Sequence, residues 1–148
     1  MKVVAINGSP NKNGNTAFAI ETVANELRAN GIEVEVLHIG KNTIRGCTAC
    51  GGCGRNKNEK CVLPGDHVNE YIQKMKEADG IILGSPTYYS ALAGTMKSFL
   101  DRAFYVAGSN GNLFRHKVGV SVVAVRRSGG IPTFQQLSQY LNYSEMII

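Results

Sequence analysis

Apolar residues along this chain alternate between short continuous runs and sets spaced three or four apart, the signatures of buried strands and amphipathic helices. Val3 to Ile6 is a continuous run ending in Gly8-Ser9-Pro10, as expected of a buried parallel strand entering a loop. From Thr16 onward Ala17, Ile20, Val23, Ala24 and Leu27 recur at helical spacing, Glu21, Asn25, Glu26 and Arg28 take the other face, and Asn30-Gly31 supplies a stop. Ile32, Val34, Val36 and Ile39 predict a second strand, alternating at first with Glu33 and Glu35. The stretch from Gly40 to Pro64 has no apolar period. Beyond it Asp66 can cap a helix carrying Val68, Tyr71, Ile72 and Met75, and Asp79-Gly80 turns into a third strand, Ile81 to Leu83, closed by Gly84-Ser85-Pro86. Leu92, Met96, Phe99, Leu100 and Ala103 trace the next helix, and Val118 to Val125 is a fourth strand. A last helix begins near Thr133 with Phe134, Leu137 and Leu141 inside, and Met146-Ile147-Ile148 reads as the opening of a fifth strand.

Strands alternating with helices imply right-handed parallel crossovers, and hence an α/β sheet covered by helices on both faces. The expected architecture is a doubly wound, three-layer α/β/α domain spanning residues 1–148, with a cysteine-rich insertion at about 40–64. A fifth strand is normally followed by a covering helix, so the end at Ile148 reads as a chain truncated after the start of strand five. A structureless segment as long as 40–64 is uncommon in a compact domain and calls for an ordering ligand or a partner surface.

Composition narrows the classes of function. The 43% apolar content suits a soluble domain, no apolar run approaches the ~20 residues that span a bilayer, and the N-terminal MKVVAING lacks the plan of a signal peptide. A cytoplasmic protein without membrane contact is expected. The net charge of +5 is spread over loops, with no basic stripe interleaved with aromatics, which argues against nucleic acid as a partner. All four cysteines, Cys47, Cys50, Cys53 and Cys61, fall in one segment. Such clustering favours metal or redox chemistry over a disulfide scaffold.

Three segments carry chemistry. Gly8 to Thr16, rich in Gly, Ser and Asn, lies between a strand and a helix N-terminus, where backbone N–H groups and the helix dipole favour a phosphate. It has neither the Lys-Ser/Thr ending of a P-loop nor G-x-G-x-x-G, so ATP and NAD are not its natural occupants. Gly84-Ser85-Pro86-Thr87-Tyr88-Tyr89-Ser90 follows the third strand. In the strand order 2-1-3-4-5 the loops after strands one and three meet at the topological switch point, and the two tyrosines offer flat faces to a heteroaromatic ring. Cys47, Cys50, Cys53 and Cys61 form C-x2-C-x2-C-x7-C, with Gly46, Gly51, Gly52 and Gly54 permitting tight turns. Four thiolates at this spacing serve an iron–sulfur cluster, a zinc ion, or free or disulfide-linked thiols. His38, His67 and His116 are isolated, and Asp101 and Arg102 stand four and five residues after Lys97, a spacing that suits surface pairing on a helix as well as it suits a functional role.

Ile6-Asn7-Gly8-Ser9-Pro10 with Gly14-Asn15-Thr16, and Gly84-Ser85-Pro86-Thr87-Tyr88 with Gly94, Lys97, Phe99, Asp101 and Arg102, resemble the flavodoxin-like NADPH-dependent FMN reductase family, and within it the iron–sulfur flavoprotein branch. The resemblance implies that Ser9, Asn11, Asn13, Asn15 and Thr16 hold an FMN phosphate and that Pro86, Thr87, Tyr88, Tyr89 and Ser90 lie along the isoalloxazine ring. Relatives often carry a basic residue directly after Ser-Pro, where this chain has Asn11 and then Lys12. The resemblance further implies a 4Fe-4S cluster on the four cysteines passing electrons to FMN, and a Gly129-Gly130 loop that approaches the flavin or a neighbouring subunit. The expected activity is FMN-dependent oxidoreduction with NAD(P)H or a ferredoxin-like donor and a small acceptor such as a quinone, flavin, nitro compound or oxygen species. A homodimer or homotetramer is expected, both from the resemblance and because the cysteine loop would otherwise lie unsupported. The competing reading is a non-catalytic metal- or flavin-binding module that uses the cysteine loop for assembly.

Overall fold

The computed structural model describes all 148 residues. The elements are β1 (Lys2–Asn7), α1 (Asn15–Ala29), β2 (Glu33–His38), α2 (Gly52–Asn56), α3 (Val68–Glu77), β3 (Gly80–Tyr88), β4 (Ala91–Leu92), α4 (Gly94–Ser109), β5 (Val118–Ala124) and α5 (Gly130–Tyr143). β2, β1, β3 and β5 lie side by side in that order, all parallel, and β4 folds back antiparallel on the end of β3. β5 is the fourth strand of the sequence reading, and the fifth is reduced to a single parallel bridge between Val118 and Ile147. The four long strands therefore keep the expected order 2-1-3-4, and the bridge at Ile147 marks the fifth place beside the fourth.

Alternation within the strands divides the core. Val4, Ile6, Ile81 and Leu83 face α3, α4 and α5 in the larger cluster, whereas Val3, Ala5 and Ile82 face Ile20 of α1 on the other side. On the α1 face the cover reaches β5 only at Val122, which packs against the smaller cluster, and Val118 and Val120 earlier in the strand are left exposed.

Three boundaries differ from the sequence reading. β3 does not stop at Gly84-Ser85-Pro86 but runs to Tyr88, because β5 continues to pair with it as far as Pro86 opposite Ala124. β1 ends opposite Gly84, so Pro86 lies where β3 has become an edge on that side, a position that tolerates proline. α5 begins at Gly130 rather than Thr133. Pro132 sits in its first turn, where a missing N–H costs no helical bond. The 40–64 segment is not structureless either, since α2 lies within it.

Close approach of backbones fixes the loop at the end of β1. Gly8 packs under Met96 of α4, where a Cβ would meet the Met96 side chain at 2.8 Å. Gly40, just past β2, lies against the next residues of that loop, and a Cβ there would stand 1.9 Å from the Ser9 carbonyl oxygen. Ser9 O also accepts a hydrogen bond from His38 Nε2 at 2.7 Å. Gly40→Ala is expected to lower stability by about 1–3 kcal/mol through overpacking, read as an earlier midpoint in a urea melt. Gly94→Ala, where nothing lies within 4 Å of the added methyl, is expected to leave the midpoint unchanged or raise it.

Candidate functional site

The Gly8–Thr16 turn leaves several backbone amides unpaired at the start of α1. Ser9 is buried, its N–H donates to Asn7 Oδ1 at 3.0 Å, and its hydroxyl accepts from the Asn11 N–H at 3.2 Å. Gly14 caps α1 without any side-chain hydrogen bond, and no acidic residue occupies the first turn. The backbone N–H groups of Lys12, Asn13, Asn15, Thr16 and Ala17 have no acceptor within the protein. Uncapped amides at the positive end of a 15-residue helix favour a phosphate. Of the predicted residues, Ser9 and Thr16 are buried, and Asn11, Asn13 and Asn15 are exposed around them.

The second turn starts beside the first. Asn7 pairs with Gly84 across β1 and β3, and Gly8 N–H donates to the Gly84 carbonyl at 2.8 Å. Ser85 and Pro86 are buried in the strand, with Ser85 Oγ accepting from Ala93 N–H at 3.0 Å and so tying the turn to the root of α4. Tyr89 and Ser90 occupy the left-handed region at φ 48° and 59°, forming the tight link between β3 and β4. Tyr88 is half exposed and Tyr89 wholly so. Gly129, at φ 85°, presses against Ser90, where a Cβ would fall 2.6 Å from the Ser90 Cα. Thr133 of α5 accepts a hydrogen bond from Thr87 at 3.0 Å. A cleft of about 250 Å³ opens here, lined by Thr87, Tyr89, Ser90, Arg126, Arg127 and Ser128.

The four cysteines line one small cavity, with Arg102, Tyr105 and Val106 of α4 as its floor. Cys53 is buried at the start of α2, Cys61 is half-buried, and Cys47 and Cys50 are exposed. Cys61 is held through its backbone, its N–H donating to Asn69 Oδ1 at 2.7 Å and its carbonyl accepting from Asn69 Nδ2 at 2.9 Å. Its sulfur accepts from Arg102 Nε at 3.3 Å, and Cys47 Sγ accepts from Ala49 N–H at 3.4 Å. The Gly52 N–H beside Cys50 pulls that thiol below its ordinary pKa against a smaller effect of burial, with Thr48 and Arg55 assisting. Among the four glycines singled out, Gly51 takes a positive φ of 68° and Gly52 is packed against Val62, whereas Gly46 and Gly54 have room for a side chain. No three acidic, cysteine or histidine side chains converge closely enough to hold a single metal ion.

All of residues 1–148 match the family described as NADPH-dependent FMN reductase. The chain belongs to that family. An iron–sulfur flavoprotein of Methanocaldococcus jannaschii is 37% identical over 150 residues, a match covering 100% of this chain and 75% of that protein. An iron–sulfur flavoprotein of Archaeoglobus fulgidus is 35% identical over 130 residues, covering 88% of this chain and 62% of the relative. Among solved structures, a flavodoxin from the domain Archaea superposes with a TM-score of 0.64 at 18% identity, covering 99% of this chain and 76% of that one. The fold is flavodoxin-like, and membership of the FMN reductase family brings FMN binding and FMN-dependent oxidoreduction with it.

Several groups at these sites escape a sequence reading of the FMN reductase pattern. His38 and Gly40 act on the Ser9 turn from the neighbouring strand, and adjacency of β2 to β1 is the signal that could have found them. Arg126 and Arg127 reach the Tyr89 cleft from the β5–α5 loop. Arg102 corrects the expectation of surface pairing: Lys97 and Asp101 do pair at the surface at 2.5 Å, but the Arg102 side chain is fully buried. The cysteine loop also has support of its own, from Asn69, Gln73 and Lys76 of α3 and Arg102 of α4. In the metal-free protein at pH 7, iodoacetamide is expected to modify Cys50 first and Cys53 last, which mass spectrometry of alkylated peptides over time will read.

Proposed function

We propose that this chain binds FMN with its phosphate on the Ser9, Asn11, Asn13, Asn15 and Thr16 turn and its ring along Pro86, Thr87, Tyr88, Tyr89 and Ser90. The observation that carries this reading is the adjacency of the two turns at the β1–β3 junction, with a row of unpartnered amides on one and exposed aromatics on the other. FMN, when bound, supplies hydride and one-electron chemistry. The protein's own part is to bind and orient it: backbone N–H groups take the phosphate, and the rigid Tyr89-Ser90 link, braced by Gly129, sets the edge of the ring site. NAD(P)H or a ferredoxin-like donor reduces the flavin, and a small acceptor such as a quinone, flavin, nitro compound or oxygen species takes the electrons. The open cleft beside Tyr89, with two arginines free of any salt bridge, has room for such a reactant.

The four thiols sharing one cavity support a 4Fe-4S cluster there. Donors to sulfur from Ala49 N–H and Arg102 Nε fit a thiolate-bound cluster, whose potential such hydrogen bonds tune. A bound cluster supplies one-electron relay.

Anaerobically purified protein is expected to show a flavin absorption spectrum that bleaches on adding NADPH, together with about four irons per chain. A colourless protein without iron would overturn both assignments. Asn15→Asp separates the phosphate site from the fold. A carboxylate in the first turn of α1 is expected to stabilise the FMN-free protein by about 0.3–1 kcal/mol. The same charge beside the phosphate should weaken FMN binding about fivefold, a Coulomb cost near 1 kcal/mol, read by fluorescence titration alongside a thermal melt.

A further inference from the structure

The Arg102 side chain is wholly buried, and a buried cation persists only when its hydrogen-bonding groups are met. Its acceptors are distributed in a telling way. Nη1 and Nη2 both reach the Asp66 carboxylate, Nη1 also donates to the Arg45 carbonyl at 3.2 Å, and Nη2 donates to the Leu63 carbonyl at 3.2 Å. Arg45 lies two residues before Cys47 and Leu63 two residues after Cys61, so one planar guanidinium closes the cysteine stretch at both ends. Nε donates to neither carbonyl nor carboxylate but to the sulfur of Cys61 at 3.3 Å. Asp66 meets only part of the guanidinium's five N–H groups, and the contacts that burial demands beyond it all come from the cysteine stretch. α4 carries this group on a rigid rod whose root is held by Ser85, beside the Tyr88-Tyr89 turn.

We propose that Arg102 is the positioning residue of the cysteine site: it closes the 45–66 loop against α4 and donates to the Cys61 sulfur, ordering the thiols for their metal group and raising its reduction potential. The closure of the loop is a property of the chain alone, whereas the effect on potential rests on the iron–sulfur reading above. Both follow from geometry that lysine cannot reproduce, since an ammonium lacks the planar fork that meets four acceptor groups at once.

Hydrogen exchange over residues 45–66 of the FMN-loaded protein before iron addition, and the midpoint potential after reconstitution with ferrous iron and sulfide, test the two halves separately. Arg102→Lys is expected to speed exchange in the loop by about tenfold or more, the equivalent of one lost charge-assisted hydrogen bond, and to shift the potential to more negative values. Because removing Arg102 alone strands the Asp66 carboxylate, the double variant Arg102→Met with Asp66→Asn is the cleaner one. It removes both charges, and the new amide oxygen can still accept from the Val68 N–H, as Asp66 Oδ1 does at 3.2 Å. Retained FMN and unchanged exchange in the strands certify its fold. Faster loop exchange and a lowered potential in that variant support the proposal, and loop exchange equal to the parent's overturns the positioning role. An unchanged potential in a cluster-loaded variant overturns the role of the donor to Cys61. Failure of the parent protein to take up iron overturns the iron–sulfur reading, and the exchange measurement still decides the loop.

Discussion

The functional architecture depends on parallel pairing between β1 and β3. Because Asn7 lies opposite Gly84, the two chains leave the sheet at the same level and on adjacent tracks, and Gly8 N–H still bonds to Gly84 O as they part. Two turns far apart in sequence thus become neighbours at the carboxyl edge of the sheet, where helix N-termini and strand ends leave backbone polar groups free to bind. A one-residue slip in that register would turn either Ile6 or Leu83, whichever strand moved, out of the larger cluster and shift the two turns relative to each other. The buried apolar face therefore specifies the site as well as the fold.

α4 joins that edge to the cysteine cavity. Its root is anchored by Ser85 Oγ, Met96 in its first turns packs on Gly8, and Arg102, Tyr105 and Val106 further along form the floor under the four thiols. From Ala93 to Arg102 the helix advances about 14 Å at 1.5 Å per residue. The Ser9 turn, the Tyr88-Tyr89 turn and the cysteine loop are thus all indexed to one helix. A displacement of α4 would be felt at all three.

The sequence made the layers legible because each buried face carries its own period. Val3 to Ile6 and Ile81 to Leu83 are continuous, as strands buried on both faces must be, and Ile20 and Ala24 repeat as a helix face does. What it concealed depended on partners distant in sequence. Gly84-Ser85-Pro86 looks like a terminator, yet pairing to β5 carries the strand through it. Lys97 and Asp101 advertise an exposed helix face, and Arg102, one residue further round, points to the opposite, buried side, where its partners come from residues 45 to 66. No local pattern announces a buried arginine. Only the arrival of Asp66 and two loop carbonyls makes its burial tolerable.

The cysteine site has a fixed half and a pliant half. Cys53 is buried in α2, and Cys61 is clamped through its backbone by Asn69 and through its sulfur by Arg102, so neither can move far without breaking paired polar groups. Cys47 and Cys50 are exposed on a stretch without regular structure, flanked by Ala49 at φ 52° and Gly51 at φ 68°. In the iron–sulfur reading, ordering the group on this frame would cost conformational freedom chiefly in the 47–50 turn, of order 1–2 kcal/mol per residue fixed. Metal–thiolate bonds can offset a cost of that size, whereas assembling all four thiols from a wholly disordered loop would be far more demanding. In the iron–sulfur reading, Cys53 and Cys61 would fix where the group is held, and the exposed Cys47 and Cys50 would complete its ligation.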